Sequence, residues 1–206
     1  NKLHEQRLNI SKDLHDNIGA QLTFIISSVD NIKYAFDISD AKLNNKLNGI
    51  TNFTKDTIVE LRDTIWAMNH NEITFEDLKS RIYKYKEKAK ESKENIDFIF
   101  TIDEQLNEVK FSSVVGMNIY RTIQEAINNA IKHANASQIK VQISKEQDQI
   151  SIQILDNGDG FDLENVSKNN GLNNMENRIS SINGNFKIET NPATGTKISI
   201  LLNKTT

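Results

Sequence analysis

The sequence predicts an α+β chain in two parts. A long antiparallel helical hairpin, expected to pair with a second copy into a four-helix bundle, precedes a layer of helices laid over a sheet. Three observations predict this. Apolar residues recur at spacings of three and four in the front of the chain and at spacings of two behind it. The single proline is Pro192, and five of the eight glycines fall between Gly158 and Gly195, so chain breakers concentrate in the last fifty residues or so. Strands and helices alternate irregularly in the rear part, which favours an α+β layer over a doubly wound parallel sheet.

The first seam is Ile10, Leu14, Ile18, Leu22, Ile25, Val29, Ile32 and Phe36, and it is already in phase near Leu3. Asp37-Ile38-Ser39-Asp40 interrupts it, with Ser39 or Asp40 as the expected N-cap. A second seam follows at Leu43, Leu47, Ile50, Phe53, Ile58, Leu61, Ile65 and Met68. Two helices alone bury too little apolar area to be stable, so pairing of hairpins is the expected remedy. Asn69 to Glu72 is polar and reads as a linker, which places domains at 1–69 and 70–206. A helix is expected from about Phe75 to Glu91, and a strand through Phe98, Phe100 and Ile102. A strongly amphipathic helix is expected from Val114 to His133. Further strands carry Ile139, Val141 and Ile143; Ile150, Ile152 and Ile154; and Ile198, Ile200 and Leu202. Between the last two lie a helix from Leu172 to Ile182 and a short strand at Phe186 and Ile188.

Composition excludes several classes. The chain has 206 residues, no cysteine and a net charge of −3, so disulfides and thiolate metal sites are absent and nothing draws it to nucleic acid. No run approaches the ~20 apolar residues that span a membrane, and no secretory signal opens the chain. It starts at Asn1 and is expected to be a piece of a longer protein.

Asp156 shares parity with Ile150, Ile152 and Ile154, so it points to their buried face. A carboxylate there needs a partner. A structural role, capping backbone amides or in a salt bridge, satisfies that need; so does a ligand amino group, such as that of a purine. The chain leaves this strand through Asn157-Gly158-Asp159-Gly160, where glycine permits close backbone approach. On the preceding helix Arg121, Glu125, Asn129 and His133 share one face, with Lys132 beside it and Ile119, Ile123, Ile127 and Ile131 opposite. Asparagine is a poor mid-helix residue, and its carbonyl suits Mg²⁺. Gly171 precedes a helix whose N-terminus suits phosphate. Thr196 shares parity with Ile198 and Ile200, so its hydroxyl points inward, as a packed core threonine or as a site residue.

The order Glu125-x-x-x-Asn129, Asp156-x-Gly158-x-Gly160, Gly171, Gly195-Thr196 resembles the Bergerat-type ATP-binding domain shared by gyrase, Hsp90, MutL and histidine kinases, over about Thr74 to Asn203. The resemblance implies a helix-covered sheet with ATP between the two layers. It implies that Asp156 binds the adenine amino group, that Asn129 ligates Mg²⁺, and that residues 157–171 form a mobile lid. Lys132, His133, Gly158, Gly160, Gly171, Leu172 and Thr196 are expected to line the nucleotide with them. Glu125, which activates water in the ATPase relatives, is expected here to orient Mg²⁺ or water.

The front half is similar to the acceptor helix of the histidine-kinase subfamily with Leu-His-Asp at its phosphorylation site, here Leu14-His15-Asp16, and Gly171-Leu172-x-x-Met175-x-x-Arg178 is also typical of it. The resemblance implies autophosphorylation of His15 and transfer to the receiver domain of a response regulator. It also implies a homodimer, and a cytoplasmic piece of a membrane-anchored sensor. His15 is expected to flank the hairpin core, with small residues, Ser11 and Gly19, one turn away. It further implies that Asp16 holds the proton at Nδ1; adjacent helix residues do not face each other, so spacing does not supply this role. Phosphatase-competent relatives carry Gln or His four residues after that acid, whereas here Ala20 stands there and Gln21 follows. On a straight helix that moves the amide by ~100°, so weak phosphatase activity is expected. The competing readings are a stand-alone ATPase of the gyrase or Hsp90 type and a degenerate, nucleotide-sensing scaffold.

Overall fold

A computed structural model describes residues 2–36, 38–93, 95–163 and 170–203. The chain divides into two compact units, Asn1–Asn71 and Glu72–Thr206.

The first unit is a helical hairpin. Helix α1 (Lys2–Asp13) runs through a π turn (Leu14–Ile18) into α2 (Gly19–Ala35), and α3 (Ala41–Asn69) returns antiparallel. Asp37 lies outside the described residues, as do the side chains of residues 1–4, Leu3 among them. Of the two expected caps Asp40 is the one used: its carboxylate accepts from the Lys42 and Leu43 amides at 2.7 and 3.1 Å. Val29, Leu47, Thr51 and Thr54 are buried where α2 and α3 pack, and Lys33 donates across the hairpin to Asn48. The seams therefore split. One edge closes the hairpin, while Ile10, Ile18, Ile25, Ile32, Leu43 and Ile50 stay exposed, and Phe36 and Phe53 are 75% and 74% exposed.

The second unit holds a five-stranded sheet in the order β2-β4-β5-β7-β6, from β2 (Asp97–Ile102), β4 (Gln138–Glu146), β5 (Gln149–Asp156), β6 (Asn185–Thr190) and β7 (Thr196–Asn203). Among the described residues only β2 and β4 pair in parallel. Ile139, Val141, Ile143, Ile150, Ile152, Ile154, Ile198, Ile200 and Leu202 alternate along their strands and are buried, as the period of two predicts. Helices α4 (Phe75–Ser92), α5 (Ser113–His133) and α6 (Asn170–Ser180) supply the other half of this core through Phe75, Leu78, Ile82, Ile119, Ile123, Ile127, Met175 and Ile179. A Thr74–Asp77 capping box starts α4.

Two short strands were not legible in the sequence. Glu72, read as linker, opens β1 (Glu72–Thr74), which pairs antiparallel with β3 (Lys110–Ser112). Three-residue strands hold too few residues for a periodicity to emerge.

Candidate nucleotide site and phosphoacceptor helix

At one end of the sheet, Asp156, Thr196 and Thr190 form a row across β5, β7 and β6, each paired with the next. Asp156 is half-buried, and its Oδ1 accepts from the Gly158 and Thr196 amides at 2.9 and 3.3 Å. No hydrogen bond from the described residues reaches Oδ2. One oxygen thus caps backbone amides, as the structural alternative expects, while the other is offered, which fits a ligand donor better than a structural salt bridge.

The chain turns sharply around it. A Cβ at Gly158 would lie 2.0 Å from the Ala134 carbonyl oxygen, and Gly160 has φ +61° against the Asn191 carbonyl. The close approaches that require glycine here are thus made to protein backbone. Asp159 N–H donates to Ala134 O at 2.7 Å, and Asn157 Oδ1 caps the Ser137 and Gln138 amides at 3.0 and 2.9 Å. The loop is therefore tied to the end of α5 and the start of β4.

On α5, Glu125 and Asn129 are half-buried on one face, while Lys132 and His133 are exposed in the last turn. Gly171, expected to precede a helix, lies within the first turn of α6 beside this stripe: a Cβ there would lie 2.6 Å from Glu125 Oε1 and 3.7 Å from Asn129 Nδ2. Leu172, next in the same turn, is half-buried. Glu125, Asn129 and Gly171 thus converge, with the Glu125 carboxylate and the Asn129 amide beside the first turn of a helix. Residues 164–169, the middle of the expected lid at 157–171, lie outside the described residues.

In the first unit the imidazole of His15 is 67% exposed, and its Nδ1 lies 3.1 Å from Asp16 Oδ1. The expectation that neighbouring helix residues do not meet is corrected here. The two side chains lean together within a π turn closed by the Gly19 amide on Leu14 O. With Nδ1–H donating to the carboxylate, the free lone pair is on Nε2. Gly19 has nothing within 4 Å of where a Cβ would stand, so the space is open there. Ser11 is 3% exposed; it packs in the hairpin instead of clearing room beside the imidazole.

The π turn also changes the arithmetic for Ala20 and Gln21. Each step through it turns by roughly 85° instead of ~100°, because one more residue enters the turn. Gln21 then stands about 180° from His15 instead of ~240°, and Ala20 about 80° instead of ~140°. The amide is now nearer the ~140° offset than the methyl is.

Thr190 stands in the same row as Asp156 and Thr196 and was passed over in the sequence reading. Its signal was faint: it shares parity with Phe186 and Ile188 at the end of β6 and faces Thr196.

Residues 115–206 match the family model for histidine kinase-, DNA gyrase B-, and HSP90-like ATPases, and residues 6–72 match the model described as histidine kinase. The chain belongs to the histidine kinases. Histidine kinase relatives include the sensor histidine kinase LiaS of Bacillus subtilis, 24% identical over 96% of this chain and 54% of its own length. Another is the signal transduction histidine-protein kinase/phosphatase DegS of Brevibacillus brevis, 27% identical over 98% of this chain and 52% of its own. Among solved structures the Acinetobacter baumannii histidine kinase AdeS superposes with a TM-score of 0.59 at 16% identity, covering 93% of this chain and 98% of that one, and supports the fold. The chain spans about half the length of most of these relatives and 34% of another.

The ATPase match makes ATP the ligand class of the second unit. The histidine kinase match over residues 6–72 disfavours the stand-alone ATPase. The two matches together place histidine kinase models on both parts of the chain.

Proposed function

We propose that His15 is the phosphoacceptor and that the Asp156 row is the adenine end of the ATP site. The observation that carries this is the His15–Asp16 pair. An exposed imidazole with Nδ1 hydrogen-bonded to a carboxylate has its Nε2 lone pair free for attack. Nε2 bonds to the γ-phosphorus as the bond from phosphorus to the ADP oxygen breaks, and Asp16 holds the proton on Nδ1.

In the second unit, Asp156 Oδ2 accepts from the adenine amino group. Asn129 offers its carbonyl to Mg²⁺, and Glu125 beside it orients the metal or its water. Among the described residues no cluster of three His, Asp or Glu could hold a metal alone. That fits a Mg²⁺ bound mainly through nucleotide phosphates and water with one or two protein oxygens. The metal's contribution is to neutralise charge on the phosphates and fix their geometry. Gly171, Leu172 and the α6 N-terminus border the phosphates. Lys132 and His133, exposed at the end of α5, are assigned to the phosphate side.

The exposed edge of the hairpin, from Ile10 to Phe53, is the homodimer surface. The partner that receives the phosphoryl group is the receiver domain of a response regulator. The full protein is anchored at a membrane through a sensor region beyond this chain, with this part in the cytoplasm. Among the described residues no helix is long and apolar enough to cross a membrane.

Titration of ATP and Mg²⁺ against variants tests the site. Asp156→Ala should abolish nucleotide binding. Asn129→Ala should keep metal-free ATP binding and lose Mg²⁺-dependent transfer. Unchanged ATP affinity in Asp156→Ala would show that the base binds elsewhere.

A further inference from the structure

We propose that Thr190, a residue one strand away from the base, sets the hydrogen-bond polarity of the nucleotide pocket and thereby its choice of purine. The inference rests on the reading that Asp156 receives the base.

Thr190 Oγ1 makes three contacts: Gly195 O at 3.0 Å, Phe161 N at 3.1 Å and Thr196 Oγ1 at 3.3 Å. A carbonyl only accepts and a backbone N–H only donates. The single hydroxyl hydrogen of Thr190 therefore goes to Gly195 O, and one of its lone pairs takes the Phe161 amide. The third contact is a hydrogen bond only if Thr196 is its donor. The direction of the Thr196 hydroxyl is thus dictated from behind, by a residue that itself has no hydrogen to spare.

The consequence is chemical. With its hydrogen committed to Thr190, Thr196 has only lone pairs left for a ligand. Asp156, its cross-strand neighbour, likewise offers a lone pair at Oδ2. The edge that meets the base is acceptor-only. An exocyclic amino group brings two hydrogens to it; a carbonyl at the same position brings lone pairs against lone pairs. If Thr196 were free to turn, its hydrogen could satisfy that carbonyl. Thr190 prevents this, which makes it a positioning residue for purine selectivity. Buried or half-buried acceptors left unpaired are a strong source of discrimination.

ATP and inosine triphosphate differ at this position, amino against carbonyl, and are the probes. The whole chain is titrated with each, with Mg²⁺ present. Wild type should prefer ATP. Thr190→Val keeps the shape, releases the Thr196 hydroxyl and should lower the ATP-to-ITP affinity ratio about fivefold, the worth of one hydrogen bond. Thr190→Ser should restore the wild-type ratio. In a Thr196→Val background the valine at 190 should leave the ratio where it is, because no hydroxyl remains to turn. If Thr190→Val folds poorly by circular dichroism, Thr196→Val alone decides, since it too must lower the ratio by removing an acceptor.

Equal weakening of both nucleotides in Thr190→Val, with the ratio unchanged, would reduce Thr190 to a structural residue and overturn the inference. So would failure of Thr190→Ser to restore the ratio. The underlying reading fails differently: Asp156→Ala would then leave ATP affinity intact.

Discussion

Gly19 offers a test in which stability and activity should move in opposite directions. It sits inside a helix, four residues past His15, with φ −59° and ψ −43°, values alanine adopts freely. Nothing lies within 4 Å of an added Cβ, so Gly19→Ala meets no steric cost. Helix propensity then favours alanine by about 0.8–1 kcal/mol. For a hairpin unit of 71 residues that is a Tm increase of roughly 4–8 °C, read by circular dichroism at helix wavelengths. If the open space beside His15 serves docking of the nucleotide unit, the same methyl should displace the approach by about 1 Å and slow autophosphorylation on the order of tenfold to a hundredfold. Gly49, in α3, also has nothing within 4 Å of its Cβ position, and Gly49→Ala is the control: equal stabilisation, unchanged transfer. A rise in Tm with undiminished transfer would refute the docking role. A fall in Tm would refute the reading of local geometry.

Three further outcomes are expected. Ile25→Lys with Ile32→Lys places charges on the exposed edge of the hairpin and should convert a micromolar dimer to monomer in sedimentation; a persistent dimer would put the interface elsewhere. Gln21→Ala should lower dephosphorylation of a phosphorylated regulator more than Ala20→Gln raises it, because the π turn carries the amide toward the productive side; the reverse order would mean that this stretch acts as a straight α-helix. Asp16→Asn should slow transfer from ATP while leaving ATP affinity unchanged, since the His15–Asp16 hydrogen bond belongs to the acceptor helix alone.

Much of the fold was legible because the core-forming strands and helices are long and regular. Nine or eight residues of alternation in β4, β5 and β7 and twenty-one of amphipathic period in α5 leave little ambiguity. The anchored Asp156 was legible through parity alone, because a strand offers just two faces. What escaped depends on contacts that sequence spacing does not encode. The π turn arises within a continuous helical pattern, so the His15–Asp16 pair and the phase of Gln21 were invisible to a period of 3.6. Ser11 looked like cleared space because it is small, yet it is small because the hairpin closes over it. Gly158 looked like a ligand glycine, while the helix end at Ala134 already excludes a side chain there. Thr190 matters only through what it does to Thr196, and no residue pattern announces such a relation.

A phosphoryl group from ATP should end on His15. The direct measurement is incubation of the whole chain with γ-labelled ATP and Mg²⁺, followed by acid and alkali treatment and peptide mapping. The wild-type chain should carry label that is acid-labile and alkali-stable, maps to the peptide containing His15, and is absent from His15→Gln. Label of the same stability retained by His15→Gln would contradict it.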